Sequence, residues 1–385
     1  MTLDPFPRKN ALAQRHAELG ASLDTEWNGR LIPQRYATDP YEEVAIVRSK
    51  AGLFDVSGLR IINASGPDVV AVLNRMLTTD VDKLQPGASA ISNIVDETGA
   101  LIDDVLVYRD GPTEFRLSHG GGKLDEAIGA FFEGSQSSWS KDDDVHILSL
   151  QGPLALDILA PHADIDLSAI RYFEHRRGKL FGKDVSIARG GYSAERGYEV
   201  FCTAADAVFL WDKIMEAGKP VGACAASWDC LDIVRVEGAL LFFPFDMPNG
   251  DETPWEVGAD WTVDLSKPDF NGKDALVRRK NEIRYANVGL EIEAHEAIEP
   301  GAKVLKDGRE VGRVNSTTYS RHLMKSLALA QVTPDLTALG TEFEIRSSKG
   351  SARAHVVRTP FYDPDRLRTH PLAEREERTP ASRAA

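Results

Sequence analysis

The sequence predicts a mixed fold of helices and strands with a separate small β domain near its C-terminal end, and two observations carry that expectation. Up to about residue 285, segments that read as strands alternate with segments of helical period. From about Asn287 the helical pattern stops, and short alternating strands separated by turn residues replace it. Taken in order, helical stretches fall at 42–50, 66–76, 122–133 and 205–217. The second has Ser65 as a candidate N-cap, Pro67 in the first turn, and Val69, Val70, Val72, Leu73 and Met76 on one apolar face. Residues 148–159 repeat that plan: an apolar strand, the Gly152-Pro153 turn, then a helix beginning near Pro153. Two strand-Gly-Pro-helix units suggest a pseudo-duplicated architecture. Beyond them, runs at 288–292, 302–314 and 327–332 read as strands, with Asp307-Gly308 a strong hairpin signal, and predict a β-barrel or sandwich over 286–364. The segment from Asp365 onward is charged and contains proline, and is expected to be a solvated or partly ordered tail.

Composition narrows the functional classes. With 42% apolar and 27% charged residues the 385-residue chain is ordinary globular protein, long enough for two or three domains. A formal charge of -14 repels phosphate backbones and anionic lipid, which argues against nucleic acid and membrane surfaces as partners. The three cysteines (Cys202, Cys224, Cys230) form no CxxC pair, so neither a disulfide framework nor a thiolate zinc site is suggested, and a reducing cytoplasm is the expected compartment. The N-terminus lacks an apolar export segment, and no run reaches the ~18 apolar residues of a membrane span.

Three polar clusters stand out. In 93–108, Asp103 and Asp104 lie inside an apolar strand-like run, where alternation sends them to opposite faces and at least one inward. An inward carboxylate demands a partner or a ligand; equally, Asp96-Glu-Thr-Gly99 makes a bend, and Asp103 would then bond local amides at the start of the returning strand. The second cluster, 190–201, delivers Glu199 where a strand becomes buried. Its two coplanar acceptors suit an amidine-like N–H pair such as the edge of a pterin, and an ion pair with Arg196, Arg189 or Arg235 is the plainer alternative. In the third, Asp232 and Arg235 are spaced to pair on a helix. His119-Gly-Gly-Gly-Lys123 lacks the spacing of a phosphate loop, no GxGxxG follows a strand, and HExxH and GxSxG motifs are missing.

Put together, these segments resemble the glycine-cleavage T-protein (aminomethyltransferase) superfamily. The similarity runs from Ala51-Gly-Leu-Phe-Asp-Val-Ser57 through the Asp103 segment, Leu150-Gln-Gly-Pro153, Gly191-Tyr-Ser-Ala-Glu-Arg-Gly-Tyr-Glu199, Arg235-Val-Glu-Gly238 and Thr253-Pro-Trp-Glu-Val-Gly258. It continues into Asp269-Phe-Asn-Gly-Lys-Asp-Ala-Leu276 and the segments beginning at Ser316 and Ser326. The resemblance implies an α+β fold of three lobes: two intertwined ferredoxin-like α/β lobes over 1–285 and a C-terminal β-barrel over 286–364, around a central channel for tetrahydrofolate, with 365–385 as tail. Matched position by position, it implies a catalytic role for Asp103 near folate N5, a pterin-holding role for Glu199, and a folate-side place for Tyr192.

Departures from the family pattern suggest a distinct one-carbon donor. Leu231 stands where a folate-side arginine is usual, the tyrosine expected near Ala90-Ile91 is replaced, and Ser118-His119 replace a common Asn-Ser pair. His119 and Trp255 join Leu231 as candidate substrate-side residues, His119 as an acid on the leaving group. The leading expectation is a tetrahydrofolate-dependent demethylase moving a methyl group from oxygen, sulfur or nitrogen of a small methylated donor to N5. An aminomethyltransferase served by a lipoyl carrier protein is the alternative, with Arg171, His175, Arg176, Arg177 and Lys179 as its docking patch. A non-catalytic folate-binding protein of the same fold ranks third.

Overall fold

The computed structural model describes residues 8–371. A short helix (α1, Ala13–Glu18) and a small hairpin (β1, Thr25–Trp27; β2, Arg30–Ile32) precede helix α2 (Pro40–Ser49) and strand β3 (Gly52–Asp55). Helix α2 starts where Asp39 accepts the amide of Tyr41 and Pro40 occupies the first turn, a position that needs no N–H. The chain then runs through β4 (Arg60–Ser65), α3 (Val69–Met76), β5 (Ser89–Val95), β6 (Leu101–Gly111), β7 (Glu114–His119), α4 (Leu124–Phe132) and β8 (Ser138–Lys141). The same plan follows a second time: β9 (Val145–Gln151), α5 (Ala155–Leu159), β10 (His175–Leu180), β11 (Lys183–Arg189), β12 (Gly197–Thr203), α6 (Ala204–Gly218) and β13 (Cys224–Ala225). Helices α7 (Trp228–Glu237), α8 (Pro254–Val257) and α9 (Lys273–Arg279) lead to the last six strands: β14 (Ala286–Ile292), β15 (Lys303–Lys306), β16 (Arg309–Ser320), β17 (Lys325–Val332), β18 (Glu342–Ser347) and β19 (Gly350–Val357).

The strand orders make the duplication explicit. One sheet runs β5-β6-β7-β4-β8 and the other β10-β11-β12-β9-β3-β13, so the second is the first with β3 inserted beside its central strand. That insertion intertwines the lobes: β3, which precedes the first repeat, pairs antiparallel with β9 and parallel with β13 of the second. Both repeats open on the same turn. Gly66 and Gly152 have φ of +136° and +135°, and a Cβ at Gly152 would crowd the Lys50 carbonyl, so glycine is required there. Ser65 does not cap α3 as expected; it ends β4, and Asp68 occupies the cap position while its carboxylate binds Ser135 and Ser137. The last six strands close into a barrel, ordered β14-β17-β16-β15-β18-β19. Asp307 and Gly308, at φ of 50° and 78°, make the expected tight turn between β15 and β16.

A buried ion cluster joins the lobes. The Arg48 guanidinium at the end of α2 lies 2.7 Å from Glu237 of α7 and 3.4 Å from Glu195, and it covers the Tyr362 ring at 3.9 Å. Ser320 of the barrel donates to Glu237 at 2.6 Å, and Tyr362 donates to Glu195 at 2.6 Å. Arg368 pairs with Glu195 at 3.0 Å and donates to the Arg48 carbonyl at 2.8 Å. The segment expected to be solvated or partly ordered is in part docked, through Arg368 and the buried Thr369, because this charge cluster gives it partners; 372–385 lie outside the described residues. Replacing Arg48 by Met leaves Glu237 buried without its cation, and urea denaturation should show a loss of about 3–5 kcal/mol.

Candidate functional site

Strand β6 settles which aspartate faces where. Val105 and Val107 pack with Ile62, Leu117 and Leu124 in the helix-covered core of the first lobe, whereas Leu106 and Tyr108 join the layer between the two sheets. Asp103 goes to the helix side. One of its oxygens accepts the Leu124 amide at the start of α4 at 2.9 Å, and its carboxyl lies against Gly122, where a Cβ would overlap it. Asp104 alternates to the Leu106–Tyr108 side. Asp103 thus faces the helices, where it meets the Leu124 amide and, at 3.0 Å, His119, and not the amides of the 96–99 bend that the plainer alternative expected.

Glu199 approaches the same layer from the opposite sheet. It shares its face of β12 with Phe201, and its cross-strand neighbours are the uncharged Ala188 and Ser149. Tyr108 reaches across and donates to Glu199 Oε2 at 3.4 Å. Among the described residues no basic side chain pairs with it: Arg196 binds the Tyr198 hydroxyl, Arg189 binds the carbonyls of Ile170 and Thr369, and Arg235 binds Asp232, Asp246 and Ser316. The ion-pair alternative is overturned. Burial pushes the Glu199 carboxyl up to about 7, against a small opposing pull from the Tyr108 hydroxyl. Asp104 is also raised to about 7, by burial first and then by the charge of Asp103. Two facing sheets therefore aim two carboxyls, neither ion-paired among the described residues, into one apolar layer, the environment in which proton-transfer and ligand-binding groups are found.

The other expected residues divide. Tyr192 borders this layer, its hydroxyl donating to the Leu241 carbonyl, and burial raises its pKa well above the usual phenol value. Leu231, on α7, is buried in the layer with Trp27, Phe54 and Tyr108. His119 is not on the substrate side. It stands behind the sheet, Nδ1 3.0 Å from Asp103 and Nε2 3.4 Å from Asp125, which in turn meets Arg60 at 3.0 Å and Lys141 at 2.8 Å. Burial opposes its charge, but the two carboxylates outweigh burial and hold the imidazole at about 9, a cation in a structural network. Trp255 is likewise turned away: its indole N–H donates to the Leu276 carbonyl at 2.9 Å and its ring packs beside α9.

Asp103 and Asp104 stand out together in the sequence, but the run around them is apolar on both faces, so alternation supplied no direction. The one available signal was Tyr108, whose polar tip shares the parity of Asp104. Asn93, directly opposite Asp104 on β5, donates to the Thr262 hydroxyl and fixes that border of the site. Among the described residues no group of three or more metal-ligating side chains occurs, and no helix is long and apolar enough to cross a membrane.

The raised Glu199 carboxyl has a consequence for stability. Between about 4.5 and 7 the unfolded chain loses this proton while the folded chain keeps it, so stability falls as pH rises through that window and levels off above it. Replacing Glu199 by Gln removes the fall. Urea denaturation at pH 4.5 and pH 8 should show the variant gaining, relative to the parent, on the order of 3 kcal/mol at the higher pH.

Comparison with known proteins agrees with this architecture. The family pattern described as "GCVT N-terminal domain" matches residues 12–267, and "Glycine cleavage T-protein C-terminal barrel domain" matches 286–363. A protein of Ectopseudomonas mendocina described as "Heme-dependent oxidative N-demethylase gamma subunit" is 40% identical over 93% of this chain and 97% of its own length. An aminomethyltransferase of Moorella thermoacetica is 33% identical over 92% of this chain and 98% of its own. The crystal structure of the glycine cleavage system aminomethyltransferase T from Bartonella henselae shares the fold, with a TM-score of 0.85 at 24% identity, covering 92% of this chain and 98% of that one. Two interleaved α/β repeats followed by a closed barrel, with both family patterns matched in order, make this chain a member of the glycine cleavage T-protein (aminomethyltransferase) family.

Proposed function

We propose that the chain is a tetrahydrofolate-dependent one-carbon transferase of the demethylase kind, taking a methyl group from a small methylated donor to N5 of the folate. The observation that carries this is the pair of carboxyls Asp104 and Glu199, neither ion-paired among the described residues, facing one another's sheet across an apolar layer. Glu199 fits the pterin edge because its one hydrogen bond, from Tyr108, leaves acceptor capacity that a buried carboxylate must fill. When bound, the folate supplies the nitrogen that accepts the one-carbon unit. Asp104, poised near neutral pH, holds or takes the proton displaced from that nitrogen, while the apolar walls of Leu106, Leu231 and Phe54 exclude water. In the transfer the donor's bond to carbon breaks, the N5 to carbon bond forms, and the proton leaving N5 ends on the donor heteroatom.

A methyl group on nitrogen is the favoured donor class, supported by the 40% identical relative, whose description names N-demethylation. The second reading, aminomethyl transfer from a lipoyl carrier protein, draws support from relatives described as aminomethyltransferases. Its docking patch is weaker than the sequence suggested: His175 is buried against Asp110, while Arg176 pairs with Glu174 and Lys179 with Asp184.

The test is anaerobic turnover with tetrahydrofolate and N-methyl, O-methyl and S-methyl donors. Formation of 5-methyltetrahydrofolate from a methylated donor supports the proposal; ammonia and methylenetetrahydrofolate from an aminomethyl-lipoyl carrier replace it with the second reading. Changing Asp104 to Asn should lower turnover roughly 10²- to 10⁴-fold while tetrahydrofolate still binds. An Asp104→Asn enzyme of full activity, with an inactive but folded Asp103→Asn counterpart, would return the role to Asp103.

A further inference from the structure

Tyr108 does more in this structure than fill space. Its ring is almost fully buried and its hydroxyl is the only described side-chain group that hydrogen-bonds Glu199. The ring is held on several sides: edge-to-face with His175 and with Phe201, each at 5.4 Å, and under the Arg116 guanidinium at 5.0 Å. Arg116 is fixed in turn by a two-pronged pair with Asp110 at 2.7 and 2.9 Å, and His175 Nε2 meets the same carboxylate at 3.0 Å. Arg116 also covers the Phe201 ring at 4.8 Å, so the cluster borders the layer that Glu199 enters.

We propose that Tyr108 is a positioning residue for the Glu199 carboxylate, braced by the Asp110–Arg116–His175 cluster, so that ligand capture by Glu199 depends on groups that never touch the ligand. The proposal rests on the folate-binding function argued above. A carboxylate on a strand has two torsions free to turn it; an O–H donor arriving from the opposite sheet fixes one oxygen and leaves the other acceptor positions aimed into the layer. The same hydrogen bond favours the ionised form, which is the form that accepts an N–H pair.

The environment of Glu199 makes this separable from a packing role. The titratable groups on its side of the layer are Tyr108 and, further along the same face of β6, Asp104, with Tyr172 from the turn before β10; Arg116, over Phe201, is committed to Asp110, as is His175 at the end of the same cross-strand row, and Ala188 and Ser149 flank Glu199 within the sheet. Tyr108 alone among them stabilises the charge on Glu199. Removing only its hydroxyl should raise the Glu199 pKa, and the resulting defect should fade when the pH is high enough to ionise Glu199 without help.

The experiment is anaerobic calorimetric titration of tetrahydrofolate into the full-length parent, Tyr108→Phe, Glu199→Gln and the double variant, at pH 7 and pH 9, with thermal melts to confirm folding. The expected result is roughly tenfold weaker binding by Tyr108→Phe at pH 7, in line with one hydrogen bond to a charged group. That gap should narrow by pH 9, and adding the same change to Glu199→Gln should have no further effect. Equal binding by parent and Tyr108→Phe at pH 7, or a loss of the same size at both pH values and in the Glu199→Gln background, overturns the positioning role. No binding by the folded parent overturns the folate reading beneath it, a distinct failure.

Discussion

One buried guanidinium holds the molecule's parts in place. Arg48 lies among Glu195, Glu237 and Tyr362, which belong to the loop before β12, to α7 and to the segment after the barrel. Through Ser320 and Arg368 the same cluster reaches the barrel and the docked C-terminal segment. Buried ion pairs add little over a well-packed apolar core, but breaking one strands a charge, so such a cluster acts as a specificity device. Only one relative placement of the lobes satisfies every partner, and that placement fixes the width of the layer in which the candidate site lies.

Within that frame the two repeats contribute differently. The first supplies Asp104 and Tyr108 from one face of β6, and the second supplies Glu199 from β12. Behind the first sheet, charges are neutralised thoroughly: Asp103 and Asp125 meet His119, and Arg60 and Lys141 complete the set. In front of it Arg116 is committed to Asp110, and among the described residues no basic side chain pairs with Glu199. A protein that assembles five ionic partners on one side of a sheet and leaves carboxyls without a cation on the other is accepting a cost at the place where a ligand would repay it.

Much of this was legible in the sequence, and the gaps have physical causes. Helices with one apolar face, the Gly-Pro turns and the Asp307-Gly308 hairpin are local signals, and the structure carries each of them. The burial of Glu199 was legible because a carboxylate entering an apolar strand is conspicuous wherever it points. Choosing between Asp103 and Asp104 needed to know which face of β6 meets helices and which meets the other sheet, a tertiary fact that a run apolar on both faces conceals. His119 and Trp255 show a related gap: each is polar enough to work in a site, and each is turned away from the layer, His119 toward Asp103 and Asp125 and Trp255 to the Leu276 carbonyl. The docking of Arg368 depends on Glu195, far away in the chain, and no window of sequence displays it.

The insertion of β3 into the second sheet also bears on how the chain becomes folded. A strand made before the first repeat must wait, with both hydrogen-bonding edges open, until β9 and then β13 arrive to flank it. The first repeat closes its own sheet, while the second sheet is incomplete without β3 despite their common plan. Although they look like separable modules, a cut between them would carry away an inner strand of the later sheet with the earlier half. Duplication here produced one indivisible unit.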